Sequence, residues 1–218
     1  METLFSEPQS TLEFPQSLSE KYRPRSIDAF VGLDKIKQIM RKLAANPFPS
    51  AWLFVGPSGT GKTSMGLALA ESMPAELHHV PSQECNVENI DRVRKTCQYV
   101  PMAGCKFHLV LVDEADQMSP AAQISLLSKL DSTNFPPNTI FIFTCNDTGR
   151  LEPRFLSRCH VLEFSSYGIS AGCVQLLEYI WVKESASNSR PNFARIVKDS
   201  QNNVRESLMR LETELMSA

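Results

Sequence analysis

Several features are missing from this chain, and each absence narrows what it can be. No apolar run approaches the roughly 20 residues that a membrane-spanning helix needs, which argues against a membrane protein. The N-terminal segment has no basic stretch followed by an apolar one, so no secretory signal is read there. The chain is therefore expected to be cytoplasmic, or nuclear in a eukaryote, and not secreted. None of the six cysteines forms a C-x-x-C pair, so neither a zinc ribbon nor a thioredoxin-like redox site is indicated. The expected state is reduced thiols packed as small hydrophobes. The tandem His78-His79 with Cys85 lacks a matching second pair of metal ligands, which favours a place at a strand edge. A strong excess of positive charge is also absent. The formal net charge of −2 excludes a broadly basic nucleic-acid coat but leaves room for a local basic face. There is no internal repeat and no low-complexity tract.

The 218 residues suffice for a sizeable core, and 42% apolar with 21% charged residues is an ordinary globular composition. Residues 1–18, rich in Pro, Ser and Glu, read as a flexible leader. Ile36, Ile39, Met40 and Leu43 then recur at helical spacing. Apolar runs at 51–55, 107–112, 139–144 and 161–164 read as buried strands, and a further strand ends at His78-His79-Val80. Helical patterns separate them, at 64–72, at 88–99 and from Ser119-Pro120 to about Asp131, the last with Ala121, Ile124, Leu127 and Leu130 on one face. Alternation of this kind predicts an α/β fold with a parallel sheet. Beyond Ser165 the strand signals stop. Helices are expected at 171–183, 192–198 and 204–216. The domain reading is thus an α/β domain over 19–165 and a small helical lid domain over 166–218.

The richest motif is Gly56-Pro57-Ser58-Gly59-Thr60-Gly61-Lys62-Thr63, which fits the P-loop pattern G-x-x-x-x-G-K-[ST]. Glycines permit a tight turn in which successive N–H groups face one concavity and cradle phosphate oxygens. Lys62 supplies charge to the β and γ phosphates, and the Thr63 hydroxyl is suited to Mg²⁺. An apolar strand before the motif and a helix after it supply the context the chemistry needs. The motif points to a bound nucleoside triphosphate and leaves its use open.

Asp113 and Glu114 end the apolar run Val110-Leu111-Val112. At the C-terminal end of a parallel strand Asp113 would lie beside the P-loop and hold Mg²⁺, while Glu114 would polarise the attacking water. Alone, such a pair would be a solvated loop; the P-loop upstream tips the reading to catalysis. Asn146, after the next strand, is placed to orient that water or contact the γ-phosphate. Arg158 precedes the last strand and Arg205 opens the last helix; both are candidates for neutralising charge on the γ-phosphate.

Taken in order, these segments resemble the AAA+ ATPases, and among them the small subunits of sliding-clamp loaders. Glu20-Lys21-Tyr22-Arg23-Pro24 with Phe30-Val31-Gly32 resembles the N-terminal signature that lies against adenine, which implies nucleotide contacts from Tyr22, Arg23, Pro24 and Val31. Asp113-Glu114-Ala115-Asp116 resembles the Walker B box, Thr144-Cys145-Asn146 sensor 1, and Asn203-Val204-Arg205 sensor 2. Ser157-Arg158-Cys159 resembles the clamp-loader arginine-finger segment, which implies that Arg158 acts in trans on ATP held by a neighbour. The resemblance covers about residues 19–216. It implies ATP and Mg²⁺ as cofactors, other AAA+ subunits as partners, and a sliding clamp with primer-template DNA as the target. Arg92, Arg94, Lys95 and Lys106 become candidates for DNA phosphate contacts, although a solvated helix face fits them equally. The collar domain of such subunits is not expected within this sequence, which reads either as a fragment or as a compact relative. Two other functions stay open: remodelling of another DNA-bound protein or a helicase-loading or recombination complex, and a scaffold that binds ATP without hydrolysing it. Intact Lys62, Thr63, Asp113, Glu114 and Asn146 speak against the scaffold.

Overall fold

A computed structural model describes residues 16–81, 84–102, 104–131, 133–185 and 190–217. Most of the leader therefore lies outside the described residues. The chain opens with a single turn of helix, α1 (Leu18–Lys21), and continues through a 3₁₀ turn at Ile27–Ala29 into α2 (Asp34–Ala45). Then come β1 (Ser50–Val55), α3 (Lys62–Glu71), β2 (Ala75–Val80), α4 (Val87–Thr96) and β3 (Phe107–Val112). They are followed by α5 (Pro120–Lys129), β4 (Thr139–Cys145), α6 (Pro153–Leu156) and β5 (His160–Glu163). Three helices close the chain: α7 (Ser170–Glu184), α8 (Phe193–Asp199) and α9 (Val204–Ser217).

The five strands form one sheet in the order β2-β3-β4-β1-β5, with every pairing parallel. Apolar residues on both faces of each inner strand explain why helices must cover both sides. In β4, Ile140 and Ile142 face one layer with Met40, Met65 and Leu69, while Phe141 and Phe143 face the other with Leu126 and Phe155. Each fully buried side chain of this size contributes about 1.5–3 kcal/mol over exposure. The sheet is the rigid frame from which the loops at its C-terminal edge project.

Helix α5 differs from its expected inner face. Ala122, Leu126 and Leu130 point inward, whereas Ile124 is 61% exposed. The reason is polar. Gln123 is buried, its amide donates to the carbonyls of Met118 (3.3 Å) and Arg150 (3.0 Å), and its oxygen accepts from Glu152 N–H at 2.8 Å. A glutamine that closes three loop hydrogen bonds outweighs one isoleucine, so the helix is turned away from its apparent apolar stripe.

A separate core joins α7, α8 and α9 through Cys173, Leu177, Ile180, Trp181, Ile196 and Leu211. Leu18, expected to end the leader, is buried in this cluster, and its N–H donates to Glu212 at 2.9 Å. Helix α1 is too short to persist alone, so its burial against α9 is what orders it.

Candidate active site

The P-loop connects β1 to α3, and its geometry follows from what surrounds it. A Cβ at Gly56 would lie 2.0 Å from the Phe164 carbonyl oxygen, so no side chain fits where the loop leaves the sheet. Gly59 has φ +78°, and a Cβ there would meet the Asn203 amide at 2.3 Å. The loop is therefore packed between β5 and the start of α9.

Lys62 is buried, and its ammonium donates to the carbonyls of Gly56 (2.6 Å) and Pro57 (2.9 Å) and to Asn146 Oδ1 (3.0 Å). Burial holds its pKa below the usual lysine value, and the nearby Arg205 guanidinium pushes the same way. An anion beside Lys62 would relieve both effects. Thr63 donates to Asp113 Oδ1 at 2.8 Å. Thr144 donates to the same oxygen at 3.1 Å and accepts from the Glu114 N–H at 3.1 Å. Glu114 itself adopts a left-handed backbone (φ 51°, ψ 52°), an uncommon conformation for a non-glycine residue that turns the chain sharply after β3.

Sheet topology brings these residues together. β1, β3 and β4 are the three central parallel strands, so Gly56, Asp113 and Asn146 emerge side by side at their C-terminal ends. Ser58, Lys62, Thr63, Glu114, Asn146 and Arg205 line one cleft. A more apolar neighbouring cleft is lined by Tyr22, Arg23, Pro24, Val31, Ile169 and Arg205, together with Gly59, Thr60 and Gly61. Burial and then Glu184 push the Tyr22 phenol up to about 12; its hydroxyl donates to that carboxylate at 2.5 Å. Arg23 Nε donates to Ser64 at 3.0 Å, tying the N-terminal segment to α3. The hydroxyl of Thr63 and the carboxylate of Asp113 are hard oxygen donors of the kind a Mg²⁺ ion takes. The nest of P-loop N–H groups beside a buried lysine suits a triphosphate.

Arg158 is not in either cleft. It donates to the Arg154 carbonyl at 3.0 Å and faces Asp131 at 3.8 Å. Among the basic candidates, Arg92 and Lys95 share an exposed groove of α4 with Glu88 and Asp91, so that face is of mixed charge.

Three participants escaped the sequence reading. His79 Nε2 lies 2.6 Å from Asp113 Oδ2. Thr144 clamps Asp113 to Glu114, and Asn203, the residue before α9, donates to the Ser58 carbonyl at 2.7 Å while accepting from the Glu206 N–H at 3.2 Å. Thr144 and Asn203 lie in segments already singled out. His79 had one signal, its place at the C-terminal end of a strand.

Residues 52–167 match the model of the ATPase family associated with various cellular activities (AAA). The chain belongs to the AAA family of ATPases. Curated relatives include replication factor C small subunit 1 of Pyrobaculum islandicum, 36% identical over 153 residues, 67% of this chain and 46% of that protein. The replication factor C small subunit of Thermofilum pendens is 31% identical over 200 residues, 88% of this chain and 61% of its own. The chain thus spans about half to three fifths of the length of these relatives. Among solved structures, the RuvB Holliday junction branch migration motor of Thermotoga maritima superposes with a TM-score of 0.69 at 18% identity, covering 88% of this chain and 64% of that one. A point mutant of the same RuvB gives 0.72 at 16% identity, covering 88% and 65%. These two likenesses carry the fold alone. Among the described residues, no helix is long and apolar enough to cross a membrane.

Proposed function

We propose that this AAA chain binds and hydrolyses ATP as one subunit of a clamp-loader-like assembly acting on a sliding clamp and primer-template DNA. The observation that carries the nucleotide chemistry is the interlock of Lys62, Thr63, Asp113 and Asn146 at the ends of three adjacent strands. In this reading the P-loop N–H groups and Lys62 hold the phosphates. Thr63 and Asp113 would hold Mg²⁺, which neutralises charge on the β and γ phosphates. Glu114, fixed through its backbone by Thr144, accepts a proton from the attacking water, and Asn146 orients that water. Tyr22, Arg23, Pro24 and Val31 form the wall against the base, and Arg205 brings a cation from the helical side. Arg158, held outside its own cleft, serves the site of a neighbouring subunit. The similarity to replication factor C small subunits supports the clamp-loading assignment.

The test is ATP turnover by the chain assembled with its co-purifying subunits. A cognate clamp with primed DNA is expected to stimulate hydrolysis. Glu114→Gln is expected to keep nucleotide binding and lower turnover by about 100- to 10,000-fold, the usual contribution of a general base. Normal turnover in that variant would remove Glu114 from the role. Hydrolysis indifferent to every clamp–DNA pair would favour the reading as a remodeller of another DNA-bound complex.

A further inference from the structure

On the face of β2 opposite to His79, and toward the N-terminal end of β3, three potential metal ligands converge from three elements. His78 Nε2 lies 2.9 Å from His108 Nδ1, and the Cys97 sulfur completes a set whose ligand atoms all lie within 4.8 Å of one another. Glu76 stands beside them, with carboxylate oxygens 3.6 Å from His108 Nδ1 and 4.0 Å from His78 Nε2. The arrangement follows from register. Glu76 pairs with His108 across β2 and β3, His78 lies two residues on and on the same face, and Cys97 caps α4 above them.

Ligand orientation is fixed as it is in metal sites. His108 Nε2 faces the Tyr99 carbonyl at 3.0 Å, and an oxygen acceptor there requires that nitrogen to carry the proton. Nδ1 of His108 is then a lone pair aimed into the cluster, the second-sphere arrangement typical of metal-bound histidines. Burial keeps His78 below the usual histidine pKa, which favours the neutral ring that a metal takes. Burial pushes the Cys97 thiol up to about 12, so its thiolate needs a neighbouring cation.

We propose that His78, Cys97 and His108, with Glu76 as fourth ligand, bind a zinc ion that fastens the end of α4 to the edge of the sheet. Two nitrogens and a thiolate, with a carboxylate, form a donor set suited to tetrahedral zinc and poorly suited to magnesium. Tetrahedral bonds of about 2.0–2.1 Å place nitrogens roughly 3.3 Å apart, so the two rings separate by about 0.4 Å while the Glu76 carboxylate closes in from 3.6 and 4.0 Å. On binding, the Cys97 thiol releases its proton to solvent and the His78 proton moves from Nε2 to Nδ1, for a net release of one proton per ion. His108 and Asp113 are five residues apart on or just beyond β3, about 16 Å at strand rise, and His78 lies on the face of β2 opposite to His79, so this ion is separate from any Mg²⁺ at the P-loop and does not depend on the ATPase reading.

The experiment is titration of the whole chain with Co²⁺ after chelator treatment, followed by displacement with Zn²⁺. Binding of one ion per chain, with a thiolate-to-cobalt charge-transfer band and intense tetrahedral bands, is expected. Cys97→Ser should abolish the charge-transfer band. His78→Asn, at a partly exposed ring, should weaken binding by at least about tenfold while keeping the fold by circular dichroism, in line with loss of a ligand or its support. Zinc at 100 times its Kd should raise the stability of the parent chain and not of His78→Asn. Absence of a charge-transfer band in the parent, a band that survives Cys97→Ser, or affinity unchanged in His78→Asn would each overturn the assignment.

Discussion

The two sides of the nucleotide cleft are built differently. On the sheet side, Lys62 bonds to Asn146, and Asp113 accepts from both Thr63 and Thr144, all around buried strand ends, so each group is held by a neighbour. On the helical side, Arg205, Asn203 and Tyr22 belong to or pack on the separate core of α7–α9, and they reach the P-loop through few bonds, such as Asn203 to Ser58. A dense network fixes chemistry in place, whereas a sparse one lets a unit report occupancy by shifting. Under the proposed function, the difference would give binding and hydrolysis to the sheet and communication to the helices.

The largest effect should come from the sheet side. Lys62→Ala removes a buried cation that donates to three oxygens, and ATP affinity should fall by at least about 100-fold, close to 3 kcal/mol, in an equilibrium titration. Retained affinity would dissolve the comparison, because the sheet side would then not dominate binding. A smaller effect is expected from Asn203→Ala, which removes both the cap of α9 and the bond to Ser58. Cap losses cost about 0.5–2 kcal/mol, read as a lower midpoint in urea, and nucleotide affinity should change less than in Lys62→Ala.

The smallest effect concerns pH. Hydrogen bonds from Lys21 and Tyr22 hold the Glu184 carboxyl below its ordinary range. Because its folded pKa is depressed, the stabilisation is present above the unfolded value of about 4.3 and is lost as pH falls through the lower folded value. Lys21 is half exposed, so the contribution stays below about 1 kcal/mol. Glu184→Gln should flatten that part of the acid-unfolding curve while leaving stability at pH 7 only slightly lower. An unchanged acid limb would mean that α1 is held by Leu18 alone.

Much of this architecture was legible in the chain. Strand and helix positions followed from apolar runs and helical spacing, since each inner strand is buried on both faces. The P-loop, Asp113, Glu114, Asn146 and Arg205 announced themselves because a short segment of backbone must carry each group at a strand or helix end. Helix α5 departs from its local pattern: spacing favours Ile124 on the inner face, while Gln123 has partners in distant loops that no local pattern contains.

The sequence by itself determined the AAA-type α/β fold and the residues presented at the C-terminal edge of its sheet. Both rest on short-range constraints: hydrophobic period, glycine geometry, and groups carried at strand ends. Tertiary structure alone decided that Leu18 belongs to the helical core, that His79 meets Asp113, and that Arg158 points away from its own cleft. It also joined His78 to His108 and Cys97 instead of to Cys85. Strand pairing and helix docking bring together residues far apart in the chain, and their separations depend on register, which no local pattern encodes.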